Sequence, residues 1–282
     1  IKWKPVTSAD SYNVYVAPSG GSYSLINKEL IRQYEDYFRA DVPGLTPGSY
    51  TLKVVPVVNG RESTEAVSNI ITVDSFVREG FAFSENSPCG NTTGGYNADG
   101  SVNSAADIVY VTNENKDTVT INGGSTKGVG FNGIMAYRQS KKITTPLIVR
   151  IIGKVEMPSG VENYMLRLQD TQNITIEGIG DDATVHGWGF TMKRARNVEV
   201  RNLGIMWYGG VGGDGDSLSL DTENKNIWIH NIDFFYGAPG GDSDQSKGDG
   251  SIDLKARTDY VTVSYCHFWD SGKSCVCLLY TS

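Results

Sequence analysis

Two aspartate pairs near the C-terminal end are the residues whose types and spacing could do chemistry. One is Asp214-Gly215-Asp216 in GGDGDSLSLD; the other is Asp249 and Asp253 in KGDGSIDLK. Neither pair carries its own basic partner between its members. Four carboxylates folded together would repel one another unless a divalent cation, raised pKa values or distance relieved them. Oxygen-only ligands favour a hard ion such as calcium over zinc, and no Cys/His spacing accompanies them. The competing reading makes DGD and GDG simple turn formers. The choice depends on whether the fold joins the two pairs.

The elements that must position them follow a repeat. Asn173, Asn197, Asn226 and Tyr260 each open a run of alternating apolar residues, with starts 24, 29 and 34 residues apart. A second short strand precedes three of these runs, at Tyr164 to Leu168, Ser217 to Leu220 and Ser251 to Leu254. Strands recurring with no helix between them are the signature of a solenoid, and a lengthening period places growing loops on one side. On stacked coils, equivalent positions lie about 4.8 Å apart. Asp216, Asp249 and Asp253 then converge within reach of one ion, with Lys255 two residues beyond Asp253, and the turn reading loses ground.

Residues 1–75 have a different rhythm. Short alternating strands are expected at Tyr12 to Val16, Tyr50 to Val55 and Asn69 to Val73, with a helical insert over Glu29 to Tyr37. Tyr50, following the turn Leu45-Thr46-Pro47-Gly48-Ser49, stands where β-sandwiches place a tyrosine corner. With Trp3 as a core aromatic, this region resembles a fibronectin type III domain. From Phe76 the rhythm changes to that of a second region, residues 76–276, in which a Gly/Asn/Ser-rich stretch, Cys89 to Asn103, leads into the repeats.

Composition excludes some classes. The 282 residues carry 25 Lys plus Arg against 32 Asp plus Glu, a net charge of −7, which argues against a general nucleic-acid binder. A polyanionic ligand stays open, because local Lys and bound metal can invert the field in one groove. No apolar run has the roughly 18 residues of a membrane span. The four cysteines (89, 266, 275 and 277) lack zinc spacing and leave the redox compartment open.

From about 80 to 276 the chain resembles the pectate lyases of the first polysaccharide lyase family. The resemblance is carried by Asn173-Ile174-Thr175-Ile176-Glu177-Gly178, Arg201-Asn202-Leu203, Asp214-Gly215-Asp216 and Asn226-Ile227-Trp228-Ile229. It is strongest in Asp249-Gly250-Ser251-Ile252-Asp253-Leu254-Lys255 and in Tyr260 to Tyr265 followed by Lys273. It implies a right-handed parallel β-helix, which with the N-terminal β-sandwich makes an all-β chain. It further implies Ca2+ on Asp216, Asp249 and Asp253, with Asp214 a neighbouring ligand. Lys273 falls where the family places a substrate-binding Lys, and Lys255 lies close by. Asp249 stands where the family often has Glu. The family's Asp-His tract is here Ile229-His230-Asn231, so His230 reads as structural. Asp242 and Asp244 are loop acids that either bind further ions or are solvated.

The implied reaction is β-elimination on polygalacturonate, giving 4,5-unsaturated products, by a secreted, periplasmic or cell-surface monomer. The family's base is an Arg on a later coil, so no residue of this chain is expected to be the base and little turnover is expected. The start at Ile1 reads as trimmed, and residues 277–282 read as a foreign tail. Rival readings are a pectin lyase, a glycoside hydrolase on the same helix with paired acids, and a non-catalytic binding or adhesion protein. The intact Asp set counts against the first, and the Asp249–Lys255 run against the second.

Overall fold

A computed structural model describes residues 1–90, 94–208, 215–237, 247–273 and the backbone of 275–277. The chain divides into two compact units, Ile1–Val77 with Asn97–Val102, and Arg78–Tyr96 with Asn103–Ser282.

The first unit is built from two antiparallel sheets. One orders β1 (Lys2–Trp3), β5 (Phe38–Ala40) and β4 (Ile31–Gln33). The other runs β3 (Ser24–Leu25), β2 (Ser11–Pro18), β6 (Gly48–Val58) and β7 (Arg61–Glu62), with β8 (Ala66–Val67) and β9 (Ile71–Val73) also on β6. Alternation along β2 and β6 buries Tyr12, Val14, Tyr50, Leu52 and Val54. Trp3 stacks on Phe38 at 5.7 Å and meets Tyr12 edge-on at 5.3 Å. Tyr50 Oη donates to the Thr46 carbonyl at 2.9 Å, the contact of a tyrosine corner. The helical insert over Glu29 to Tyr37 is absent. A 3-10 turn at Lys28–Leu30 gives way to β4, which pairs with β5 across a turn closed by Tyr34 N–H on Tyr37 O. Cross-strand pairing there overrides local helix propensity.

The second unit is a parallel coil. Its long sheet orders β10 (Asp107–Val111), β11 (Leu147–Glu156), β13 (Gln172–His186), β15 (Arg196–Met206), β17 (Lys225–Phe235) and β19 (Asp259–Ser264), with β20 (His267–Trp269) also on β17. Its short sheet orders β12 (Met165–Gln169), β14 (Gly189–Lys193), β16 (Leu218–Thr222), β18 (Ile252–Leu254) and β21 (Cys275–Cys277). From β11 to β19 the chain alternates between the sheets, and each strand pairs in parallel with the one a coil earlier. That is a parallel β-helix. The sequence reading did not contain α1 (Gly130–Lys141), which buries Phe131, Ile134 and Met135 in the same core, nor did it find β14.

The asparagines that open each repeat have a backbone reason. Asn173, Asn197 and Asn226 lie in the left-handed region at φ 58°, 52° and 56°, and Tyr260 follows at 55°. Asn tolerates that conformation better than most side chains, and Asn197 Nδ2 donates to Asn173 Oδ1 at 2.8 Å. Behind the corner, Ile174, Val198, Ile227 and Val261 share one register row, and Ile176, Val200, Ile229 and Val263 another; all but the β19 residues Val261 and Val263 are buried. A fully buried Ile or Val contributes roughly 1.5–3 kcal/mol. That exceeds the contribution of a solvent-exposed ion pair such as Asp170–Arg194, on the same corners. The aliphatic rows hold the coils together.

The outer face of the long sheet is covered by residues 80–90 and 94–96. Ala82 N–H donates to Thr262 Oγ1, Gly94 N–H to Asn197 Oδ1, Gly95 N–H to Thr175 Oγ1 and Tyr96 Oη to Glu177 Oε1. A Cβ on Gly94 would stand 2.1 Å from Thr175 Oγ1 and one on Gly95 2.3 Å from Ile148 Cγ1, so both positions need glycine. Beneath it lies a buried charged row. Glu177 bonds Arg150 at 2.9 Å and Arg201 at 2.6 Å, and Glu199 bonds Arg201 at 3.1 Å and His230 at 2.9 Å.

Candidate metal centre

The short sheet carries the acids. Asp216 precedes β16, Asp249 precedes β18, and Asp253 lies within β18. One carboxylate oxygen from each can be chosen so that all three lie within 4.8 Å of one another. Asp216 and Asp253 are not register equivalents, as the stacking argument took them to be. Asp253 pairs with Ser219, while Gly250 lies opposite Asp216 and donates its N–H to Asp216 Oδ1 at 3.0 Å. The carboxylates converge because the turn before β16 delivers Asp216 beside the Gly250 backbone. Asp214, Asp242 and Asp244 lie outside the described residues.

The glycines of KGDGS are needed here for space as well as for turning. A Cβ on Gly250 would stand 2.4 Å from Asp253 Oδ1, and one on Gly248, at φ +76°, would stand 2.4 Å from the Tyr208 ring. Sequence reasoning had treated these glycines only as turn signals. Tyr208 Oη in turn meets Ser251 Oγ at 3.1 Å, bracing the backbone between Gly250 and β18.

Both predicted lysines reach the acids. Lys255 Nζ lies 3.5 Å from Asp216 Oδ2 and 3.3 Å from Asp253 Oδ2, and Lys273 Nζ lies 2.8 Å from Asp249 Oδ1. Burial, then the neighbouring Asp216 charge, push the Asp253 carboxyl above its ordinary pKa. Burial pulls the Lys255 ammonium down, but Asp216 and Asp253 outweigh it and its pKa rises. Among the described residues, Asp253 Oδ1 is buried without a hydrogen-bond partner. A bare anionic oxygen between two further carboxylates is a donor set for a hard cation. His230 lies on the other sheet, stacked on Trp228 at 3.8 Å and bonded to Glu199.

The centre opens into a groove of about 360 Å³ along the outer face of the short sheet, lined by Asp216, Ser219, Thr191, Arg167, Lys193 and Lys255 among others. Arg167, Thr191, Ser219 and Asp253 form one register row across four coils. The sequence reading missed Arg167, Lys193 and Ser219 as groove residues. Their signal was the outward half of the alternation in β12, β14 and β16.

The family model described as pectate lyase matches residues 79–278. The pectate trisaccharide-lyase of Bacillus licheniformis is 28% identical over 183 residues, covering 62% of this chain and 50% of that protein. Pectate lyase A of Emericella nidulans is 32% identical over 122 residues, covering 43% and 36%. Among solved structures, a pectate lyase bound to hexasaccharide matches with TM-score 0.48 and 18% identity, covering 74% of this chain and 63% of that one. The chain therefore spans half or less of the length of these two curated relatives.

Proposed function

We propose, from the premise that this chain belongs to the pectate lyase family, that it is a calcium-dependent pectate lyase acting on polygalacturonate. Asp216, Asp249 and Asp253 hold the cation. The observation that carries the reading is the bare, buried Asp253 Oδ1 within a cluster of three carboxylates, at a position where Gly250 leaves space that any Cβ would fill.

The reaction is β-elimination, in which the proton beside a uronate carboxylate leaves and the glycosidic oxygen departs. When bound, calcium supplies Lewis-acid stabilisation of charge on that carboxylate. Lys255 and Lys273, beside the cluster, stabilise the negative charge that develops. Arg167 and Lys193 offer the groove cationic groups for a polyuronate, each now 3.8 Å from a lining acid, Glu162 and Asp221. The proton-accepting base is assigned to no residue of these 282. The first unit is a fibronectin type III-like accessory module, a reading its paired antiparallel sheets and the Tyr50–Thr46 bond support, and the protein acts outside the cytoplasm as a monomer.

Unsaturated-product absorbance on polygalacturonate, measured with calcium and with chelator, tests the activity; calcium-independent turnover refutes it. Calorimetric titration of calcium into the chain tests the centre without requiring turnover. Heat in the native protein that disappears in Asp253→Asn is the expected result, and an unchanged affinity in that variant overturns the assignment.

A further inference from the structure

The three carboxylates already have cations. Lys255 is within 3.5 Å of both Asp216 and Asp253, and Lys273 is 2.8 Å from Asp249. Among the described residues, these three acids and two ammonium groups sum to one net negative charge. A divalent ion held by the same acids makes the cluster net positive and places Lys255 near a like charge. Repulsion between such charges a few ångströms apart exceeds thermal energy even with solvent screening. The two cations also contact Asp253 differently. Lys255 faces Oδ2 and leaves Oδ1 without a partner, so the ammonium satisfies only part of what the cluster offers.

We propose that Lys255 is the resident counter-cation of the metal-free centre, and that a divalent ion displaces its ammonium from Asp216 and Asp253 into the groove it already lines. The inference rests on reading the centre as a calcium site. It explains how buried acids on adjacent coils fold before any metal arrives, when structural metal sites often need the ion to form. It also orders binding. The ammonium is free for a uronate carboxylate only after the metal has taken its place, so metal and polymer bind with positive coupling. Removing Lys255 therefore strengthens metal binding while weakening polymer binding. A lysine acting only as a substrate hook would not show that opposition.

The test is calorimetric titration of calcium into the full chain and into Lys255→Met, which keeps the length and apolar stem of the side chain. The expected result is an affinity about tenfold tighter in the variant. In chelator the variant should melt lower than the native chain, and calcium should raise its midpoint by more. Equal or weaker calcium affinity in the variant overturns the displacement while leaving the calcium reading intact. No calcium heat in either protein sinks the calcium reading itself. Should Lys255→Met fail to fold, lysine acylation of the native chain with peptide mass readout decides. Lys255 should label faster on calcium addition while exposed Lys4 does not change; unchanged or slower labelling of Lys255 refutes the proposal.

Discussion

The second unit carries two sets of charged residues on the outer faces of parallel strands, and their electrostatics run in opposite directions. On the long sheet, Glu177 and Glu199 are buried beneath residues 80–90 and 94–96 and matched by Arg150, Arg201 and His230. Burial alone would raise the Glu177 carboxyl, but Arg201 and Arg150 outweigh it and hold the pKa below the usual glutamate range. On the short sheet, Asp253 is also buried, yet burial and Asp216 prevail over Lys255 and its pKa is raised. A charged row that completes its own pairs serves stability. One left with a bare oxygen beside an open groove is, on the proposed reading, a cation site.

The largest effect that would break this contrast comes from the covered row. Glu177→Ala leaves Arg150 and Arg201 buried without their shared partner and should cost about 3–5 kcal/mol of stability, read from denaturant unfolding, with calcium affinity unchanged in the fraction that stays folded. A smaller loss would mean that the row is solvated and that the two faces are alike. Next, Gly250→Ala should weaken calcium binding at least tenfold while barely moving the melting midpoint in chelator. The new methyl group meets the end of the Asp253 side chain, which can swing aside but then leaves its ligand position. Unchanged calcium affinity would remove Asp253 Oδ1 from the centre.

The pH dependence sharpens the comparison further. The folded pKa of Glu177 is depressed, so its stabilising contribution is complete above the unfolded value, about 4.3. That contribution is lost as pH falls from there through the lower folded value. The stability difference between the native chain and Glu177→Gln should therefore be flat from neutral pH to about 5 and shrink below about 4.3. A difference that already declines near pH 6 would show that the pairing does not hold the charge. The smallest effect belongs to the corner pair. Arg194→Ala breaks two short bonds to Asp170 in solvent and should leave the melting midpoint unchanged within error.

Much of the coil was legible because its period is written in residue types. Asn173, Asn197 and Asn226 mark corners that need left-handed backbone, and the alternating Ile and Val after them mark strands facing one core. β14 went unread, although Phe190 and Met192 alternate there as Leu218 and Leu220 do in β16. The helix over Glu29 to Tyr37 was misread because pairing between β4 and β5 is not a local property. The acids were found as residue types, but their register was not. Sequence placed Asp216 and Asp253 as equivalents, whereas strand pairing sets Ser219 opposite Asp253.

The sequence by itself determined that carboxylates cluster late in a stacked β-strand repeat and that lysines accompany them, because periodicity and residue type are local facts. Only the tertiary structure decided which acids share one centre, that Gly250 must lack a Cβ, and that Lys255 bridges two carboxylates from adjacent coils. Those facts depend on the distance between backbones 34 residues apart in the chain, as Asp216 and Gly250 are. That distance is set by the packing of the coils, and no short stretch of sequence contains it.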